Sequence, residues 1–183
     1  MTIEEQIRDI KKDLRASMNG ILSAQMRNAG MPYKLVFGVE LPRLLAIAAN
    51  FQTDRQLAQA LWNQPIRECK ILAAMLMPRN EMLPEVAEIW VDEIPAPEIA
   101  QTLCMYCLSK EKWAAERALE WVAQDEPKRQ LCGFLLIARL LQQGVEFNAR
   151  TEDEIRDQAE ALLPQADLHL QKAIHAVMER MEG

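Results

Sequence analysis

Residues 54–77, DRQLAQALWNQPIRECKILAAMLM, restrict the fold more than any other stretch of this chain. Leu57, Leu61 and Trp62 give the first part an apolar side at helical spacing. Asn63-Gln64-Pro65 interrupts that period, and Pro65 suits the first turn of a following helix, where a missing N–H costs nothing. Ile66, Cys69, Leu72, Ala73 and Leu76 then restart it. Two short helices joined by a tight turn are predicted. A pair of this size cannot bury its apolar residues alone, so it needs neighbours made the same way.

The rest of the chain supplies such neighbours. Thr2, with Glu4 and Glu5 behind it, starts a helix whose apolar stripe is Ile3, Ile7, Ile10 and Leu14. Arg8, Lys11, Lys12 and Arg15 occupy its other sides as a solvated face. Met18-Asn19-Gly20 breaks it, and a continuation runs to about Ala29, ended by Gly30 and Pro32. YKLVFGV at residues 33–39 has β-like composition but no partner strand, so it reads as an extended connector. Pro42 opens a helix with Leu44, Leu45, Ile47 and Ala48 on its apolar side. After the central pair, helices start at Leu83-Pro84, at Pro97-Glu98 and beyond Ser109. A longer one runs from Pro127 to about Gln143, stopped by Gly144. Thr151 and Glu154 form a predicted capping box, Pro164 breaks the helix that follows, and a last helix spans residues 166–181. Pairs recur about every 30 residues, shorter than the ~40–47 of HEAT or armadillo units but similar in kind. The expected fold is all-α: an α-solenoid, a curved superhelix of antiparallel HEAT-like helix pairs, forming one domain over residues 1–183 with a concave face.

Composition limits what such a chain can do. Half of its 183 residues are hydrophobic and 26% are charged, which suits a globular chain with an adequate core. Residues 1–20 lack the apolar segment of a secretory signal, and no run approaches the ~18 apolar residues of a membrane span. A cytoplasmic protein that does not engage membranes is expected. Cys69, Cys104, Cys107 and Cys132 lie in apolar helical stretches and read as reduced, buried thiols. Cys104-x-x-Cys107 falls mid-helix without a second pair or a nearby His, so neither zinc nor redox chemistry is expected there. His169 and His175 are six apart, on different sides of one helix, and do not make a metal pair. No cofactor is expected. A net charge of −6 argues against broad nucleic-acid affinity but leaves room for a local basic face.

Several stretches in one order resemble a known family: residues 20–29; Phe37-Gly38-Val39-Glu40-Leu41-Pro42-Arg43-Leu44; Leu61-Trp62-Asn63-Gln64-Pro65 with Glu68 and Ala73; Lys128-Arg129 within residues 127–136; and Gln171-Lys172-Ala173-Ile174. The chain is similar to the DNA alkylation repair family of AlkD-like alkylpurine DNA glycosylases, built of HEAT-like repeats. That resemblance implies removal of cationic N3- and N7-alkylated purines from double-stranded DNA, in an aromatic cleft with a catalytic carboxylate. A fixed carboxylate stabilises the oxocarbenium character that develops in the sugar.

The resemblance fails where the chemistry would sit. Gln101 aligns with the family's catalytic Asp, and no Trp stands in Ile94-Pro95-Ala96-Pro97 before it. Ala176 replaces a second family Trp after Lys172-Ala173-Ile174, and Glu179 a basic residue one turn later. Family members continue for further helices beyond the position of Gly183. Glu98 is the nearest carboxylate and reads first as an N-terminal dipole partner. Trp62, Trp90, Trp113 and Trp121 read first as core residues, Trp90 and Trp113 being the two of them better placed to reach a cleft. Glu98, Trp90 and Trp113 are the remaining catalytic candidates. Lys128 and Arg129 read first as a solvated pair balancing Asp125 and Glu126. The resemblance makes them candidates for DNA-backbone binding, since they match a basic position that in the family approaches the DNA backbone. Lys172 extends the basic candidates. A degenerate, shortened member is expected, a scaffold for DNA or for a protein partner on its concave face, with an active glycosylase of rearranged site as the alternative.

Overall fold

Local signals start and stop the helices largely where the sequence places them. Thr2 and Glu5 form a capping box at the start of α1 (Ile3–Ala16), each side chain accepting the other's backbone N–H. Asn19 caps α2 (Gly20–Asn28), and Gly30, with φ of 75°, follows its end. The computed structural model describes Met1–Gly183 and holds eleven α-helices and two 3₁₀ turns. The helices gather into two compact units, Met1–Met82 and Leu83–Gly183. No helix is long and apolar enough to cross a membrane.

The first unit is built on α5 (Arg67–Leu76), which packs against α3 (Leu41–Ala48) and α4 (Arg55–Trp62), while α1 lies on α4. Leu57, Leu61, Trp62, Ile66, Cys69, Leu72, Ala73 and Leu76, the residues of the predicted period, are all buried. In α5 burial extends well beyond that stripe, to Arg67, Glu68, Ile71 and Ala74. The reason is the connector. Residues 33–39 run extended past the start of α5, with Leu35 N–H donating to Pro65 O at 3.2 Å and Arg67 N–H to Leu35 O at 3.1 Å. This single parallel bridge, Leu35 to Ile66, is all the strand-like pairing it makes. It also moves Pro65 outside the helix: Ile66 is the N-cap, so Pro65 precedes the first turn. On α3 only Leu44 and Ile47 are buried, so its apolar side is narrower than predicted, and Leu45 is exposed.

Glu68 closes this arrangement. Its carboxylate is fully buried. Oε1 accepts from Phe37 N–H at 2.7 Å and from Gly38 N–H at 2.9 Å. Arg67 Nη1 lies 3.6 Å from the same oxygen and donates to Val39 O at 3.2 Å. On the other side of the connector Ser23 Oγ donates to Val36 O at 2.8 Å, and Asn19 N–H to Phe37 O at 3.1 Å.

In the second unit, α9 (Pro127–Gln142) is the central element. It packs against α6 (Pro84–Asp92), α7 (Pro97–Tyr106), α8 (Ala114–Val122) and α11 (Leu168–Glu182). Gly133 lets α8 approach: a Cβ there would lie 2.7 Å from Val122 Cγ1 and 3.0 Å from Ala118 O. Two boundaries differ from the sequence reading. Asn148, whose side chain accepts from Thr151 N–H at 2.8 Å, caps α10 (Ala149–Leu162), so the Thr151–Glu154 box does not start it. Asp167 caps α11, which begins at Leu168.

Candidate nucleic-acid interface

Helices α7, α9 and α11 build the surface on which the sequence places its candidates. Proline and acidic caps fix their starts: Pro97 and Pro127 occupy the first turns of α7 and α9, Glu126 accepts from Arg129 N–H, and Asp167 accepts from Leu170 N–H. The first turns of all three meet around one cleft, which contains Pro97, Pro127 and Asp167 together. Residues further along the same helices, Gln101, Arg139 and Arg180, meet around a second.

The second cleft, of about 220 Å³, holds the position of the expected catalytic carboxylate. Gln101 is exposed on α7, and Arg139, Gln142 and Arg180 face it from α9 and α11, over a floor that includes Cys104 and Met105. No Asp or Glu lines it. Arg139 donates from Nη1 to Gln142 Oε1 at 3.0 Å. Its Nε–H is buried without an acceptor, a donor left for a group the protein does not supply. Arg180 is exposed and in no ion pair.

Nothing in the sequence alone marks Arg139, Arg180 and Gln142; Arg139 there only interrupts an apolar run. The available signal was spacing. Leu131, Leu135, Arg139 and Gln142 recur every three or four residues and are half-buried or exposed, a stripe on an otherwise buried helix.

The expected basic pair is engaged elsewhere. Arg129 binds the Asp92 carboxylate through Nε and Nη2, both at 2.9 Å, and Gln124 Oε1 through Nη1 at 2.9 Å. Lys128 Nζ donates to the backbone carbonyl of Asp92 at 2.9 Å, at the C-terminal end of α6, where a cation suits the helix dipole. Their charge therefore balances the end of α6 rather than Asp125 and Glu126. Lys172 is exposed on α11 and lines neither cleft.

The catalytic candidates do not converge. Trp90 is 1% exposed, a core indole that reaches no cleft, which removes it as a catalytic candidate. Trp113 is half-buried and meets Trp121 edge to face, with ring centroids 6.3 Å apart. Glu98 sits half-buried in the first turn of α7, outside both clefts. The thiols are poorly suited to reaction. Burial pushes Cys69 and Cys107 up to about 12. Cys104, which donates to Cys132 O at 3.6 Å, is raised first by its hydrogen bond with Cys132 and then by burial. Cys107 follows the last residue of α7, far from the helix start that would stabilise a thiolate.

The hydrogen bonds from Arg129 hold the Asp92 carboxyl below its ordinary value of 3.8. A folded pKa below the unfolded one stabilises the fold above the unfolded value, and that stabilisation is lost as pH falls through the folded value. Because the Asp92 side chain is 47% exposed, solvent screening limits the effect: Asp92→Asn is expected to cost about 0.5–1 kcal/mol at neutral pH. The difference between the two proteins should vanish on acidification below the carboxylate range, in denaturant titrations run from about pH 7 down to 2.

A family profile described as DNA alkylation repair enzyme matches residues 10–181. No curated protein matches the chain by sequence. A solved structure described as "A new family of proteins related to the HEAT-like repeat DNA glycosylases with affinity for branched DNA structures" superposes with a TM-score of 0.79. The alignment covers 95% of this chain and 74% of the other, at 16% identity, a likeness of fold: an all-α, HEAT-like helical repeat.

Proposed function

The chain belongs to the DNA alkylation repair family, and we propose that within it this protein binds DNA without excising bases. The composition of the Gln101 cleft carries this reading. Excision of an alkylated purine makes the sugar cationic, and a fixed carboxylate lowers the energy of that state. Gln101 is neutral, and Arg139 and Arg180 bring positive charge to the same cleft. Two guanidinium groups there raise the energy of an oxocarbenium ion. They suit a phosphodiester, whose oxygens accept their N–H groups in a planar, charge-assisted pair. The buried, unmatched Nε–H of Arg139 is such a donor.

Charge is unevenly divided. The first unit has eleven Lys and Arg against eight Asp and Glu, with Arg8, Lys12 and Arg15 exposed on α1. The second has ten against nineteen, so its contribution to DNA binding is local to the cleft. A protein of the same fold is described as having affinity for branched DNA, which makes a branched junction the first probe.

Two assays test the reading. Purified protein incubated with methylated DNA should release no methylated purine above background; catalytic release overturns it. Fluorescence anisotropy with a labelled junction should show binding that weakens as salt rises. The Arg139→Met, Arg180→Met double variant should flatten the dependence of log K on log salt by about 1–2. No association at low ionic strength would sink the DNA reading and leave a protein partner.

A further inference from the structure

The second unit holds six arginines among nineteen carboxylates. Four of the six are in ion pairs: Arg117 with Glu88, Arg129 with Asp92, Arg150 with Glu154 and Arg156 with Glu152. Arg139 and Arg180 pair with no carboxylate, and these are the two that meet in the Gln101 cleft. Arg139 donates only to a neutral amide, Gln142 Oε1, and keeps a buried Nε–H without an acceptor. Arg180 also borders a depression holding Glu146 and Glu152 but pairs with neither. Two cations held at one cleft repel each other, and a bound anion turns that repulsion into attraction.

Charge and size together narrow the anion. The cleft is about 220 Å³, below the roughly 300–1,000 Å³ of pockets that enclose a whole organic ligand. It has room for a charged head and not for a nucleoside. Gln101 and Gln142 add neutral amides at its rim, and no carboxylate opposes an anion inside it. An internal phosphodiester brings one negative charge and carries a sugar on either side. A phosphate monoester brings close to two at neutral pH, with three free oxygens and a single ester link. It matches two guanidiniums charge for charge, and it enters a small cleft from one side only.

Resting on the DNA-binding reading, we infer that the Gln101 cleft takes the terminal phosphate monoester of a DNA strand end in preference to an internal phosphodiester. Arg139 and Arg180 each donate to its oxygens in charge-assisted bonds. The chain leads away from the cleft through the one ester oxygen, so the nucleoside stays outside.

The test uses the full chain and four labelled duplexes of one sequence, compared by anisotropy at low ionic strength. One has hydroxyl ends, one a 5′-phosphate, one a 3′-phosphate, and one a 5′-phosphate capped as its methyl ester, a diester of single charge. A free terminal phosphate, 5′ or 3′, should tighten binding about tenfold over hydroxyl ends, as an added hydrogen-bonded charge does. The methyl ester should fall back to the hydroxyl level. Arg180→Met, at an exposed position, should remove the preference. Lys172→Met, which takes the same charge from the same helix outside the cleft, should keep it; loss of the preference there would assign it to net charge and overturn the inference. Inorganic phosphate titrated alone separates a strand end from a free anion: binding as tight as that of the phosphorylated duplex overturns the strand end in favour of a small phosphorylated ligand. Equal binding of all four duplexes overturns the inference and leaves the DNA-binding reading standing. Failure of all four to bind overturns both.

Discussion

Replacing Glu68 by alanine is expected to destabilise the first unit by about 3–5 kcal/mol, the cost of removing one partner from a buried ion pair. That is a large share of the roughly 5–15 kcal/mol available to a domain. The loss has two parts. Phe37 N–H and Gly38 N–H lose the carboxylate oxygen that both share, and each buried donor left without an acceptor costs about 1–3 kcal/mol. The Arg67 guanidinium, 3.6 Å from that oxygen, loses its neighbouring negative charge. Glu68→Gln keeps one acceptor oxygen in the same shape but removes the charge and puts an NH2 donor in place of the other oxygen, so it should retain part of the stability. Urea titrations of the three proteins measure the order, and equal midpoints would show that the carboxylate does not hold the connector.

Gly38→Ala should cost about 3 kcal/mol, for two reasons that add. Gly38 has φ of 73°, a backbone region that costs an L-residue roughly 1–2 kcal/mol. A Cβ there would also stand 2.5 Å from Asn19 O and 2.7 Å from Ser23 N. Both are backbone atoms at the start of α2, so the clash can be relieved only by moving a helix, and overpacking of this kind costs about 1–3 kcal/mol. Gly30 separates the two causes. Its φ is 75°, but nothing lies within 4 Å of its Cβ position, so Gly30→Ala should show the conformational cost alone. Thermal melts in which the two variants lose equal stability would remove the steric part of this account.

These two residues explain why short motifs spread across the sequence marked the family. Phe-Gly-Val at residues 37–39 and Glu68 are about thirty positions apart, yet they form one unit: a carboxylate on α5 holding two amides of an extended segment. The motifs carry the frame of the first helical pairs. They report scaffold, and the scaffold is where sequence and structure agree most closely.

The candidate site was legible only in part. Gln101 was visible as a substituted position, because a side chain that aligns with a carboxylate can be read directly. Its neighbours could not be read that way. Arg139 and Arg180 meet Gln101 across three helices, a meeting that depends on how α7, α9 and α11 pack. Lys128-Arg129 reads in the sequence as balanced by its neighbours Asp125 and Glu126, since nothing local pairs it with Asp92, 36 and 37 positions away. Trp90 and Trp113 were alike as indoles beside apolar neighbours, and tertiary packing buried the first and left the second half-covered.

The sequence by itself determined that the chain is helical, where most helices begin and end, and which family frame it carries. Those properties follow from local causes: caps, prolines and the 3.6-residue period act over a few positions. Tertiary structure decided which charges are satisfied within the fold and which stay available. The bidentate bond of Arg129 to Asp92 and the unmatched Nε–H of Arg139 both depend on distances between helices remote in sequence. For the same reason only the folded chain gathers Gln101, Arg139 and Arg180 into one cleft.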